Sequence, residues 1–154
     1  MSKSLARVLA AMQAHGVAGV PLEMPGETRT AVQAADAAGC VLDQIVKSII
    51  FGGASGMYLF LTAGGNQVDP ARASALAGET LGRADATQVR AVTGFAIGGV
   101  SPLGHLNPLP LWIDPTLLRY EVVWAAAGTP RHIFAIPPLQ LQQITGAVVA
   151  DFTA

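Results

Sequence analysis

Apolar positions recur along this chain in two registers, and each register predicts a different kind of element. Near the start, Leu5, Val8, Leu9 and Met12 fall on one helical stripe, with Ser4 placed to cap it and Gly16 to stop it. Residues 17–22 read as a short extended piece and 23–29 (EMPGETR) as a loop. Thr30 opens a second helix of small residues, 31–38, with Gly39 past its end. In QIVKSIIFGGASGMYLFLTAGG, two β-branched or aromatic runs, 44–51 and 57–62, flank a glycine-rich turn and give the clearest hairpin signal. Asp69-Pro70 and Asp85 each begin a helix, ended by Gly78 and Gly94. Beyond them come a strand at 111–113, a turn at Asp114-Pro115, and strands in YEVVWAAAG and RHIFAIP. A helix at 138–144 and a last strand at 147–152 complete the pattern. Helices and strands mix without strict βαβ alternation. The expected class is therefore α+β, with a mixed, largely antiparallel sheet flanked by helices. No repeat or break in composition divides the 154 residues, so one domain over 1–154 is expected.

Composition sharpens this picture. The chain is 51% hydrophobic and 12% charged, about half the usual charged share of roughly 25%, which favours a compact fold with a large core over disorder. No apolar stretch approaches the ~18 residues of a membrane span. Lys3, Arg7 and His15 interrupt the first twenty residues as an amphipathic helix would, unlike a signal peptide. Cys40 is alone, which rules out an intrachain disulfide and fits a cytoplasmic location. A net charge of −1 gives no global sign of broad duplex DNA binding, although the nine basic residues could still cluster in space. A nucleic-acid end touched at one small spot stays compatible with it.

Three stretches could carry chemistry. Lys47 shares a strand face with Ile45, Ile49 and Phe51, while Val46, Ser48 and Ile50 form an equally apolar opposite face. A lysine there either snorkels out from a strand end or stands at the floor of a pocket facing a carbonyl, carboxylate or phosphate. TGFAIGGVSPLGH, residues 93–105, makes a poor strand and no helix. It is either a glycine bend or a set of bare N–H groups facing a substrate carbonyl. Ser101 does not fit a nucleophile elbow, which needs G-x-S-x-G, and Pro102 removes an N–H that such elbows use. AGTPRH, 127–132, is a hairpin connection or a pocket mouth. His15, His105 and His132 have no metal-ligand spacing, and phosphate-loop and dinucleotide motifs are absent, so no cofactor is expected.

IVKSIIF, TGFAIGGVSPLGH and AAAGTPRHIFAIPPLQL, in that order, resemble the YbaK/EbsC family, free-standing relatives of the editing domain inserted in bacterial prolyl-tRNA synthetases. The likeness runs from about residue 30 to 151 and includes the helix before the lysine strand and a closing P-x-x-L…A-x-V-x-D segment. It implies a trans-editing hydrolase, an aminoacyl-tRNA deacylase that removes alanine, cysteine or another small amino acid from tRNA for proline. Lys47 matches the family's characteristic lysine and would hold the terminal nucleotide or the aminoacyl group. Gly98 and Pro102 lie on its G-x-x-x-P motif, and the backbone from Gly98 through Gly99 to Ser101 would bind the ester carbonyl. Gly128 and Thr129 fall in the family's later glycine turn. Thr30, Ile45, Ile49, Phe95, Ile97 and His105 are the further substrate-side candidates. The implied partners are the acceptor end of tRNA and, as for some relatives, an aminoacyl-tRNA synthetase. Lys3, Arg7, Arg29, Arg72, Arg83, Arg90, Arg119 and Arg131 are candidates for a few phosphate contacts. Since an aminoacyl ester is already activated, positioned water and an oxyanion site suffice without a Ser-His-Asp set. A non-catalytic module binding an aminoacyl-like molecule or a partner protein is the alternative. A general esterase is disfavoured by the missing nucleophile motif.

Overall fold

The computed structural model describes residues 2–26 and 30–154. Arg29 and the end of the expected 23–29 loop lie outside them. Helix α1, Lys3–Ala14, is capped by Ser2, whose side chain accepts the Leu5 N–H at 3.0 Å. Ser4, the expected cap, instead lies inside the helix and donates to the Gly94 carbonyl. Helix α2, Ala31–Ala38, carries a capping box between Thr30 and Gln33 and ends on Gly39 in the left-handed region. Helices α3 (Pro70–Ala77) and α4 (Ala86–Thr93) are capped by Asp69 and Asp85 and end on Gly78 and Gly94, as their sequences predict. Helix α5 is Pro138–Thr145.

One eight-stranded sheet organises the rest. Its strands are β1 (Leu22–Glu23), β2 (Ile45–Gly53), β3 (Gly56–Ala63), β4 (Gly82–Arg83), β5 (Leu111–Ile113), β6 (Val123–Ala126), β7 (His132–Ile136) and β8 (Val148–Val149). The order is β1-β7-β6-β2-β3-β5-β8, with β4 also on β2. Four ladders are antiparallel and three parallel, so the mixed α+β expectation holds. Several details differ from the sequence reading. The 17–22 piece shrinks to β1, where Leu22 and Glu23 find Ile133 and His132. The 147–152 strand shrinks to β8. The Asp114-Pro115 turn lengthens into a 3-10 helix, Pro115–Arg119, because the Asp114 carboxylate caps it through Thr116 N–H. Two-residue β4 carries too little pattern to be seen in sequence.

Strand β2 is the axis of the molecule. One edge pairs with β3 along its length. The other is shared: β6 takes Ile45 and Val46, β4 takes Phe51 and Gly52, and no described strand pairs between them. Main-chain direction in this gap follows from the neighbouring strand. Ala63 N–H donates to Asp114 Oδ2 and Leu61 O accepts from Asp114 N–H, both on the β5 side. Their β2 partners, Val46 and Ser48, therefore also turn their main-chain groups away from β3. For Val46 they meet β6; for Ser48 they meet the gap.

The two faces of β2 enter different cores. Val46 and Ile50 join the main cluster with Leu59, Leu61, Phe95, Ile113 and Phe134. Ile45 packs under α2 with Ala34, Ala35 and Trp124, and Phe51 packs under α3 with Phe60, Ala73 and Phe152. Lys47 and Ile49 stand between these last two clusters. No described helix is long and apolar enough to cross a membrane. Cys40 is partly buried against the α2 cluster.

Candidate active site

The gap in the sheet opens into a cavity of about 280 Å³. Its floor is β2 from Ile45 to Ile49. One wall comes from α2 (Thr30, Ala31, Ala34) and β6 (Trp124, Ala126), and the other from Ile97, Gly98 and Val100. Thr129, Pro130, His132 and Ile133 close it. Parallel β2 and β6 part after Val46 and Ala125, so the site lies where two neighbouring strands diverge.

Lys47 is half-buried, and its ammonium donates to the Asn66 carbonyl. Burial pulls its pKa below the usual lysine value, opposed by the Asp114 and Asp43 carboxylates. Asn66 is itself held. Its side-chain amide donates to Asp114 Oδ2 at 2.9 Å and to Thr116 Oγ1 at 3.2 Å. Asp114, 1% exposed, also accepts the N–H groups of Ala63 and Thr116. One anchor thus restrains an ammonium that carries three N–H groups, leaving donors for a ligand.

The glycine segment behaves as a bare-backbone wall. Gly98 has φ +95°, and Gly99 N–H closes a turn on Ala96 O at 3.0 Å. The N–H groups of Gly98 and Val100 make no such bond among the described residues. A Cβ on Gly99 would come within 2.9 Å of Thr129 Cα, so glycine is what lets the two turns touch. Across the contact, Thr129 Oγ1 accepts Arg131 N–H at 3.1 Å and shares a hydrogen bond of 2.7 Å with His132 Nδ1. Nδ1 being occupied, Nε2 is the ring nitrogen left for the cavity. Ser48 adds a hydroxyl that is buried without a partner.

Of the residues singled out in sequence, Lys47, Gly98, Thr30, Ile45, Ile49, Ile97 and Thr129 line the cavity. Gly99 packs behind it against Thr129. The others stand in a supporting layer. Phe95, a substrate-side candidate in sequence, is instead wholly buried in the main core, in a segment that turns at Gly98 and does not run as a strand. Ser101 is wholly buried, its hydroxyl accepting Leu103 N–H at 3.1 Å, and Pro102 is buried beside it. His105 Nε2 meets the Ser101 carbonyl at 2.6 Å and its ring stands edge-on to Phe95. Burial lowers its pKa, aided by Arg7 and opposed by the Ser101 carbonyl. Gly128, φ +95°, is wedged against Ser4 of α1.

Two arginines are already committed. Arg7 donates to Gly94 O at 2.6 Å and Gly104 O at 3.3 Å, with its guanidinium 4.9 Å from the Phe95 ring centre. Arg72 pairs with Asp151 at 2.9 Å and lies 3.6 Å from Asp69. Both side chains thus have partners within the fold. Lys3, Arg83, Arg90, Arg119 and Arg131 are exposed. Sequence reasoning missed His132, Trp124, Ser48, Ala31 and Ala34 as cavity residues. Only the Thr-x-x-His spacing in AGTPRH hinted at one of them. Among the described residues, no cluster of His, Cys, Asp or Glu could hold a metal ion.

Comparison with known proteins meets this geometry. The profile of the aminoacyl-tRNA editing domain matches residues 25–144. A solved structure of a candidate trans-editing enzyme for prolyl tRNA synthetase is 47% identical, with a TM-score of 0.94 over 100% of this chain and 99% of that one. The hypothetical protein APE2540 is 30% identical, with a TM-score of 0.88 over 96% of this chain and 99% of that one. The uncharacterized protein YwhH of Bacillus subtilis (strain 168) is 27% identical over 124 residues, 80% of this chain and 79% of that protein.

Proposed function

The chain belongs to the aminoacyl-tRNA editing domain family, and from that premise we propose that it frees tRNA for proline from a wrongly attached small amino acid by hydrolysing the ester. One observation carries the reading: a small cavity gathers Lys47, the open N–H groups of Gly98 and Val100, and the Thr129–His132 pair around a single gap in the sheet. The solved relative described for prolyl tRNA synthetase supports the choice of tRNA.

In this reading the terminal ribose and its acyl group enter the gap. Water adds to the ester carbonyl carbon, and the negative charge gathers on the carbonyl oxygen. The Gly98 and Val100 N–H groups receive that oxygen; each preorganised donor of this kind supplies about 3 kcal/mol in acyl transfer. The carbon–oxygen bond to the ribose then breaks as the carbonyl re-forms, and the ribose oxygen leaves with the proton that the attacking water gives up, so the products are the free amino acid and the ribose hydroxyl. Lys47 holds the nucleotide or the aminoacyl end, and its tether to Asn66 fixes where the charge sits. His132, oriented by Thr129, stands at the closing end of the cavity. Selection is by size. Ile45 and Ala34 are 5% and 7% exposed, so these walls are backed by packed core and give little. A missing methylene is discriminated by only about 1–3 kcal/mol, whereas a side chain too large for the cavity is refused by clash. With a net charge of −1, few phosphates are held. A synthetase that hands over its tRNA would supply the remaining contacts.

The test is deacylation at low salt of tRNA for proline carrying alanine, cysteine, serine or proline, beside alanine- and serine-specific tRNAs with their own amino acids. Release from one small misacylated species, with prolyl-tRNA spared, is expected. No turnover on any of them overturns the reading in favour of a binding module.

A further inference from the structure

At about 280 Å³ the cavity is of a size for a small acyl ester, and the strand that carries the ester needs surface outside it. Next to it lies a second, shallower concavity of about 480 Å³ formed by Ala86, Thr87, Arg90, Ala91, Ala96 and Ile97. The two share Ile97, which is 62% exposed, a saddle of apolar surface between them. The lining residues other than Arg90 are small or uncharged, so its guanidinium is the charge of this groove. No described carboxylate pairs with Arg90, and Asp85, at the start of α4, is engaged by Gln88 N–H at 3.1 Å. Arg83 is exposed on β4, the strand that closes the far end of the same β2 gap. A free cation, an apolar saddle and continuity with the first cavity suit a sugar-phosphate backbone leading away from the reacting end.

We propose that the groove between α4 and Ile97 is the subsite for the nucleotide that precedes the terminal one, with Arg90 meeting its phosphate. This rests on the editing reading above. Ile97 packs against the sugar or base that crosses the saddle, while the terminal ribose drops into the cavity behind it. The groove contributes affinity and register to the chemistry at the gap and no reacting group.

The experiment pairs two substrates. One is the aminoacyl ester of adenosine alone, which has no preceding phosphate; the other is an aminoacylated oligonucleotide ending in CCA. Arg90→Ala is expected to raise KM on the oligonucleotide by roughly fivefold, as one exposed ionic contact allows. The salt dependence of log(kcat/KM) should become shallower by about 0.7, the loss of one single-strand phosphate contact. Kinetics on the adenosine ester should match wild type. Equal KM for the two proteins on the oligonucleotide overturns the groove and leaves the editing reading intact. An equal loss on both esters also overturns it, since Arg90 would then act at the cavity itself. Wild-type protein inactive on both esters overturns the editing reading and the groove with it.

Discussion

Replacing Gly99 by alanine should push the two walls of the cavity apart. The new methyl would lie 2.9, 3.0 and 3.1 Å from Cα, C and N of Thr129, all backbone atoms, where ordinary contact begins at 3.4 Å. The turns must therefore separate by about 0.5 Å, the difference between these distances. Retreat is blocked on the far side. Gly128 already sits so close to α1 that a Cβ there would meet Ser4 O at 2.8 Å. Thr129 is also tied to Arg131 and His132. Overpacking of this kind costs about 1–3 kcal/mol of stability. The displacement falls between the Gly98 and Val100 donors and His132. Since a 1 Å misplacement can cost about 10²-fold in rate, half of it should cost roughly tenfold. Single-turnover deacylation and urea denaturation would measure both effects. Gly52→Ala is the control. Its methyl would meet only Ala84 Cα at 3.8 Å, so it should keep the wild-type rate. If Gly99→Ala deacylates at the wild-type rate with an unchanged unfolding midpoint, the contact between the turns does not set the geometry of the site.

Two further predictions test the supporting layers. Asp114→Asn places an amide NH₂ against N–H donors that now converge on the carboxylate, which should cost about 1–3 kcal/mol in urea denaturation. It also loosens Asn66 and with it the anchor of Lys47, so the deacylation rate should fall as well; retention of both properties would refute the linkage. His105 has its pKa held below the ordinary 6.5, so the unfolded chain takes up that proton first and stability falls as the pH drops from about 6.5 toward the folded value. His105→Gln should flatten that part of the pH–stability curve, and an unchanged slope would show that the burial of His105 is not felt.

The elements legible in sequence are those specified locally. Thr30, Asp69 and Asp85 cap their helices and Gly39, Gly78 and Gly94 end them, because each terminus is encoded within a few residues. The β2–β3 hairpin is specified in the same way. Lys47 stood out as a charge in an apolar strand, and it does line the cavity. The gap that makes the site was not legible. It arises from Ile45 pairing with Trp124, a contact no local pattern encodes. His132 and Trp124 reach the cavity only through that pairing. Ser101 and His105 looked like site residues by proximity to the glycines, yet they satisfy each other and their own loop. Arg7 looked like a surface cation, and tertiary packing turned it onto Phe95.

The most direct test of the central claim compares wild type with Lys47→Met in single-turnover deacylation of the misacylated tRNA for proline that wild type prefers. Methionine keeps the apolar stem out to Cε, one atom short of lysine Nζ, and removes a charge whose burial already lowers its pKa, so folding should be retained. The expected result is a loss of at least about 10²-fold in rate, the scale of one removed electrostatic contact to the reacting group, at an unfolding midpoint no lower than wild type. A folded Lys47→Met protein that deacylates at the wild-type rate would contradict it.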